Sequence, residues 1–194
     1  MTTTEDTRER IAMAALKHYL SSGIKKTSME DVAAEAGLTR VTIYRYYPDK
    51  KNLVKAAFLY VVDKLQQVYR AIIEAPETDL EEALERTGKV FYTLPQGDLR
   101  LAQYELSRLY PDVWRLYLQA RNEALDSIFE PLFAKAERRG LLRPGINRIV
   151  TQTHLFYAFM DTLQVAAAFQ GKASQEEVLQ TIKTLFFNGT IRTR

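Results

Sequence analysis

The chain has 194 residues, with 27 Lys and Arg against 24 Asp and Glu, and no cysteine. That length can bury a sizeable core, and the missing thiols exclude disulfides, thiolate zinc sites and thiol nucleophiles. The opening MTTTEDTRER is polar and mixed in charge, and no apolar run approaches the ~18 residues of a membrane-crossing helix; a cytoplasmic protein without membrane contact is expected.

A first helix is predicted from about Thr7 to Ser21, with Ile11, Ala12, Ala15, Leu16 and Tyr19 facing inward, and it ends at Gly23. Ser28 followed by Asp31 makes a capping-box start for a second helix, whose Met29, Val32, Ala33 and Ala36 share one apolar face. Gly37 then accepts the left-handed turn at the helix end. Thr39 caps a third helix and Pro48 ends it. Helix, sharp turn, helix is the result.

At about 100° per residue, Ile43 and Tyr47 of the third helix face inward onto Val32 and Ala33. Val41, Thr42 and Arg45 lie opposite, Tyr44 and Tyr46 flank them, and Arg40 stands at the N-terminal end, where recognition helices meet base edges. Arginine bonds guanine bidentately, while Val41 and the Thr42 methyl suit a thymine methyl. Thr42, Tyr44 and Arg45 carry groups for phosphate oxygens, and Lys50 adds another beyond Pro48. With Ser28, Thr39 and Tyr46 they form the candidate DNA-binding set.

An ordinary solvated face is the competing explanation. Charge placement weighs against it. Residues 1–55 hold ten lysines and arginines against seven acids, whereas the remainder is balanced. All the net positive charge therefore sits beside the helix pair, as counterion release from DNA requires.

A fourth helix is predicted from Lys50 to near Ala75, with Leu53, Ala57, Val61, Leu65, Val68 and Ile72 along its inner stripe. A fifth opens at Asp79 and stops near Pro95; a sixth starts at Asp98 and ends before Pro111. From Pro111 to Arg139 one long helix follows, with a bend or break expected at Pro131. A turn at Gly140 to Gly145 precedes two closing helices, residues 147–170 and 174–188. No strand pattern or repeat is present. The chain reads as all-α, with about nine helices.

The run from Thr27 to Leu53 resembles the DNA-binding domain of the tetracycline-repressor (TetR) family of transcriptional regulators, through Ala33, Gly37, Tyr44, Tyr47, Lys50 and Leu53 at the family's typical spacing. Arg8 to Gly23 resembles the family's first helix. Tyr47 stands where Phe is commoner, and Val41 where a small residue or glycine is frequent. The resemblance implies a helix-turn-helix DNA-binding domain over residues 1–49 and a helical effector-binding and dimerisation domain over 50–194. It also implies a repressor released from a palindromic operator when a small molecule swings the fourth helix.

The last two helices carry broad apolar stripes, Val150, Thr153, Tyr157, Met160 and Leu163 on one and Val178, Ile182, Leu185, Phe186 and Phe187 on the other. A homodimer through these helices is expected, and such a two-fold pair suits palindromic DNA. The middle of the chain is rich in aromatics. Tyr92, Tyr104, Trp114, Tyr117, Phe156 and Tyr157, with Glu105, Arg121 and Asp161, are the candidate contacts of a small apolar or aromatic effector, against the alternative of ordinary core packing. No phosphate-binding glycine loop, HExxH or GxSxG is present, and His18 and His154 are the only imidazoles. No catalytic residue, metal site or cofactor is therefore expected. The alternative function is a helical protein-interaction or ligand-binding module that does not bind DNA.

Overall fold

The computed structural model describes residues 4–73, 82, 86, 94–154, 157, 158 and 173–190. The fold is all-α. α1 spans Thr4–Ser22, α2 Met29–Glu35, α3 Arg40–Tyr46, α4 Lys50–Ile73, α5 Leu99–Leu109, α6 Pro111–Arg138 and α7 Gln175–Thr190. Residues 148–154 are also helical. Most of the helix expected from Asp79 lies outside the described residues. No described helix is long and apolar enough to cross a membrane.

The chain divides into two compact units, one of residues 1–63 with 94–121 and the other of 64–93 with 122–194. In the first unit α1 packs on α2 and α5, and α2 packs on α3. The core is the predicted face of α1, where Ile11, Ala12, Ala15, Leu16 and Tyr19 are all buried. Leu53, Ala57 and Val61 of α4 are buried as well; Leu65, in the second unit, is also buried, while the side chains of Val68 and Ile72 lie outside the described set. Tyr19, Phe58 and Tyr117 form an aromatic cluster: Tyr19 stacks on Phe58 at 6.5 Å and Tyr117 meets Phe58 edge-on at 5.4 Å. Burial pushes the Tyr19 phenol far above its ordinary pKa, and its hydroxyl meets no protein partner among the described residues.

The second unit contains the later part of α6, which runs through Pro131 as one helix. Of the bend or break expected there, the break does not occur. Proline removes a single donor, and the hydrogen bonds on either side suffice to carry the helix through it. Phe129 and Phe133 are buried at its inner face with ring centroids 6.0 Å apart. Arg148 bridges Glu130 at 2.8 Å and also reaches Glu137, which ties residues 148–154 back to α6. Ser174 and Glu177 build a capping box before α7.

Candidate nucleic-acid interface

α2 and α3 have seven residues each, about half the ~12–15 an isolated helix needs in water. Caps and packing must hold them. The Ser28 side chain accepts from the Asp31 amide at 3.1 Å, while the Asp31 carboxylate accepts from the Ser28 amide at 2.7 Å. The Ser28 hydroxyl also donates to that carboxylate at 2.7 Å, and the hydrogen bonds donated by Ser28, backbone first, keep the Asp31 carboxyl below its usual range. At the other end of α2, Gly37 has φ +63°, its amide donates to the Ala34 carbonyl at 3.0 Å, and Leu38 donates to Ala33 at 2.8 Å. That double closure is a Schellman motif. A side chain at Gly37 would meet open space, so backbone conformation, not crowding, requires glycine.

Thr39 then caps α3, accepting from the Thr42 amide at 3.2 Å, with its hydroxyl 2.8 Å from that of Thr42. Ile43 and Tyr47 are buried, as are Val32 and Ala33 of α2, on which α3 packs. The other face of α3 is open: Val41 is 73 % exposed, and Arg40, Tyr44 and Arg45 are exposed beside it. Thr42 and Tyr46 are half-buried. The predicted inner and outer faces are thus the observed ones.

Some candidate residues also have structural partners. Ser28 is engaged in the cap. Tyr46 lies under the guanidinium of Arg8 at 5.7 Å, and the same cation stands 5.8 Å from Tyr47. The Tyr47 hydroxyl donates to the Arg8 carbonyl at 3.4 Å. Arg8 thereby clamps the end of α3 onto α1; periodicity within either helix carries no signal for a contact across 39 residues. Lys50 is half-buried, and that burial lowers its ammonium pKa, opposed by the carboxylates of Glu105 and Asp31. Lys51 bridges Asp112 at 2.8 Å.

Two contacts join α5 to the end of α1. The Asp98 amide donates to the Leu20 carbonyl at 2.8 Å, and the Glu105 carboxylate accepts from the Lys25 amide at 2.9 Å. That carboxylate fills the space beside Gly23 where a side chain would stand. Glu105, an effector candidate in the sequence, therefore faces the helix-turn-helix segment.

The remaining described effector candidates differ in their surroundings. Tyr104 is 61 % exposed; the inward face of α5 is set by Ala102 and Leu106, and position 104 points elsewhere. Tyr117 belongs to the buried aromatic cluster, with Trp114 tilted against it at 5.8 Å. Arg121 is buried. Tyr157 is 43 % exposed. Tyr92, Phe156 and Asp161 lie outside the described residues. An open cleft near the Gly140 turn is lined by Glu137, Leu142, Arg143, Pro144, Ile146 and Arg148, none of them among the effector candidates.

Comparison with known proteins identifies the surroundings of this interface. The family of bacterial regulatory proteins, tetR family, matches residues 11–57, which spans most of α1, all of α2 and α3 and the start of α4. An uncharacterized HTH-type transcriptional regulator of Bacillus subtilis, YvaF, is 31 % identical over 166 residues, covering 84 % of each chain. A TetR transcriptional regulator from Chloroflexus aurantiacus superposes with a TM-score of 0.73 at 20 % identity, over 97 % of this chain and 98 % of that one. A putative transcriptional regulator from Saccharomonospora viridis, solved in complex with choline, also gives a TM-score of 0.73 at 20 % identity, over 98 % and 100 % of the two chains.

Proposed function

We propose a mode of action that starts from family membership: the chain belongs to the tetR family of bacterial regulatory proteins and is a DNA-binding transcriptional regulator. Residues 1–49 are the reading head, and 50–194 form the body that receives an effector and a second copy. α3 lies in the major groove. The observation that carries this is the division of α3 into a buried side, Ile43 with the adjoining Tyr47, and an open side bearing Arg40, Val41, Tyr44 and Arg45. Arg40 bonds a guanine, Val41 meets a thymine methyl, and Thr42, Tyr44, Arg45 and Lys50 hold phosphates.

Two heads are needed to read a palindrome, so the active species is a homodimer with recognition helices about 34 Å apart. Supporting this, Ile149, Val150, Tyr157 and Leu185 leave large apolar area exposed on the single chain. The body answers to a small molecule. The Saccharomonospora neighbour holds choline, so this fold accommodates a ligand of that size. Trp114, Tyr117 and the buried Arg121 supply aromatic and cationic groups suited to an apolar or aromatic acid. Effector binding shifts the population toward a form in which α4 changes the spacing of the heads, and operator is released.

Duplexes selected from a random-sequence library by the purified protein test this reading, with mass measured by light scattering in the same samples. A dimeric mass and sequence-selective binding are expected. Arg40→Ala should lose about 1–3 kcal/mol of preference at one operator position. Lys50→Ala should weaken all sequences alike and flatten the salt dependence by about one phosphate's share. A strictly monomeric protein that ignores every duplex at low salt would overturn the reading.

A further inference from the structure

Arg40 is the residue assigned to base reading, and it is held from two sides before any DNA arrives. Its Nε stands 2.9 Å from Oε1 of Glu30, an ion pair with α2 across the turn. Its guanidinium carbon stands 5.7 Å from the centroid of the Tyr44 ring, one helical turn on. Both partners are on the open surface: the Arg40 side chain is 69 % exposed and that of Glu30 46 %. The contact therefore does little for stability, since exposed ion pairs are worth little. Its consequence is geometric.

We propose that Glu30 is a positioning residue that determines sequence specificity, by fixing the guanidinium of Arg40 so that its two terminal Nη groups face a guanine. A guanidinium has five donors in a rigid planar fork. With the Nε side of the guanidinium drawn toward the Glu30 carboxylate, the edge left facing away is the pair of Nη groups, which matches O6 and N7 of guanine bidentately. The Tyr44 ring limits rotation of the plane about the remaining bonds. Without Glu30 the long side chain samples many rotamers, and the nearest strong acceptors are phosphates, which carry no sequence information. The Glu30 carboxylate also offsets the attraction of Arg40 to any backbone. Glu30 thus exchanges general affinity for discrimination.

This inference rests on the assignment of α3 as the reading helix, and one experiment separates the two. A duplex selected from a random library by the parent protein is compared with versions in which each guanine is replaced in turn. The quantity read is the ratio of affinities at each position, for the full chain and for Glu30→Ala, Glu30→Gln, Arg40→Ala and Glu30→Ala with Arg40→Ala. At one guanine, Arg40→Ala should lose roughly tenfold or more of the ratio and Glu30→Ala about fivefold. Glu30→Gln keeps the length of the side chain but removes the charge that pairs with Arg40, and should show much the same loss. Adding Glu30→Ala to Arg40→Ala should change the ratio no further. A merely structural Glu30 would weaken all duplexes alike and leave every ratio intact. Loss of the ratio in Arg40→Ala but not in Glu30→Ala overturns the inference and leaves the reading helix standing. Equal tightening on every duplex by Glu30→Ala overturns it in favour of simple repulsion. No effect of Arg40→Ala at any guanine overturns both.

Discussion

Replacing Gly97 with alanine should destabilise the folded chain by about 3 kcal/mol or more, lowering its thermal midpoint by about 6 °C or more. A β-carbon at position 97 would stand 2.5 Å from the Leu20 carbonyl oxygen, 2.7 Å from its carbon and 2.8 Å from the Leu20 Cβ. Two of those three atoms are backbone, so no flexible side chain can swing away. The position also has φ +155°, at the margin of a region that side chains avoid. Relief therefore requires the loop to move off the end of α1, and that movement breaks the Asp98 amide's bond to the same Leu20 carbonyl. The cap of α5 follows, because the Asp98 side chain also accepts from the Leu101 amide at 2.9 Å. Denaturant unfolding followed by circular dichroism checks this; a midpoint indistinguishable from that of the parent would show that the loop yields freely.

The helix-turn-helix was legible in the sequence because its determinants are local. A serine and an aspartate three residues apart, a glycine after an apolar face and a threonine before a cationic run act within one helical turn. Those spacings predict α2, Gly37 and α3 as they are observed, and they separate buried Ile43 and Tyr47 from exposed Val41 and Arg45. Contacts between distant segments leave no such trace. Arg8 against Tyr46, Glu105 against the Lys25 amide and Gly97 against Leu20 join residues 38 to 80 positions apart. Periodicity says which residues share a face of a helix, not which partner that face meets. Hence the placement of Glu105 against the end of α1, and of Tyr104 on an open face, does not follow from the spacing of either residue. Glu30 carries no distinct signal in the sequence for a related reason. An acid in the first turn of a helix has a sufficient local explanation in the helix dipole, and its pairing with Arg40 exists only once the turn has folded.

Truncating Phe58 to alanine should be the costliest single side-chain loss considered, at about 3–5 kcal/mol. Phe58 is 1 % exposed on α4, with Tyr19 of α1 stacked on it at 6.5 Å and Tyr117 of α6 edge-on at 5.4 Å. Its removal deprives two other rings of their partner at once, and neither can close the gap by rotation without giving up its own contacts. Tyr19 has a further reason to move, because its buried hydroxyl meets no partner among the described residues, and a cavity beside it admits water. Phe58→Leu fills more of that volume and should lose clearly less. Small aromatic compounds added to Phe58→Ala should raise its midpoint by occupying the void, and should leave the parent unchanged. A loss below about 1 kcal/mol would show that the cluster collapses around the gap and that Phe58 is not its centre. The contrast with Arg40 is the informative part. Arg40 is exposed and paired only at the surface, so Arg40→Ala should leave unfolding unchanged while it alters DNA preference. Phe58→Ala should do the reverse: the molecules still folded present an intact α3, and binding per folded molecule keeps its sequence preference.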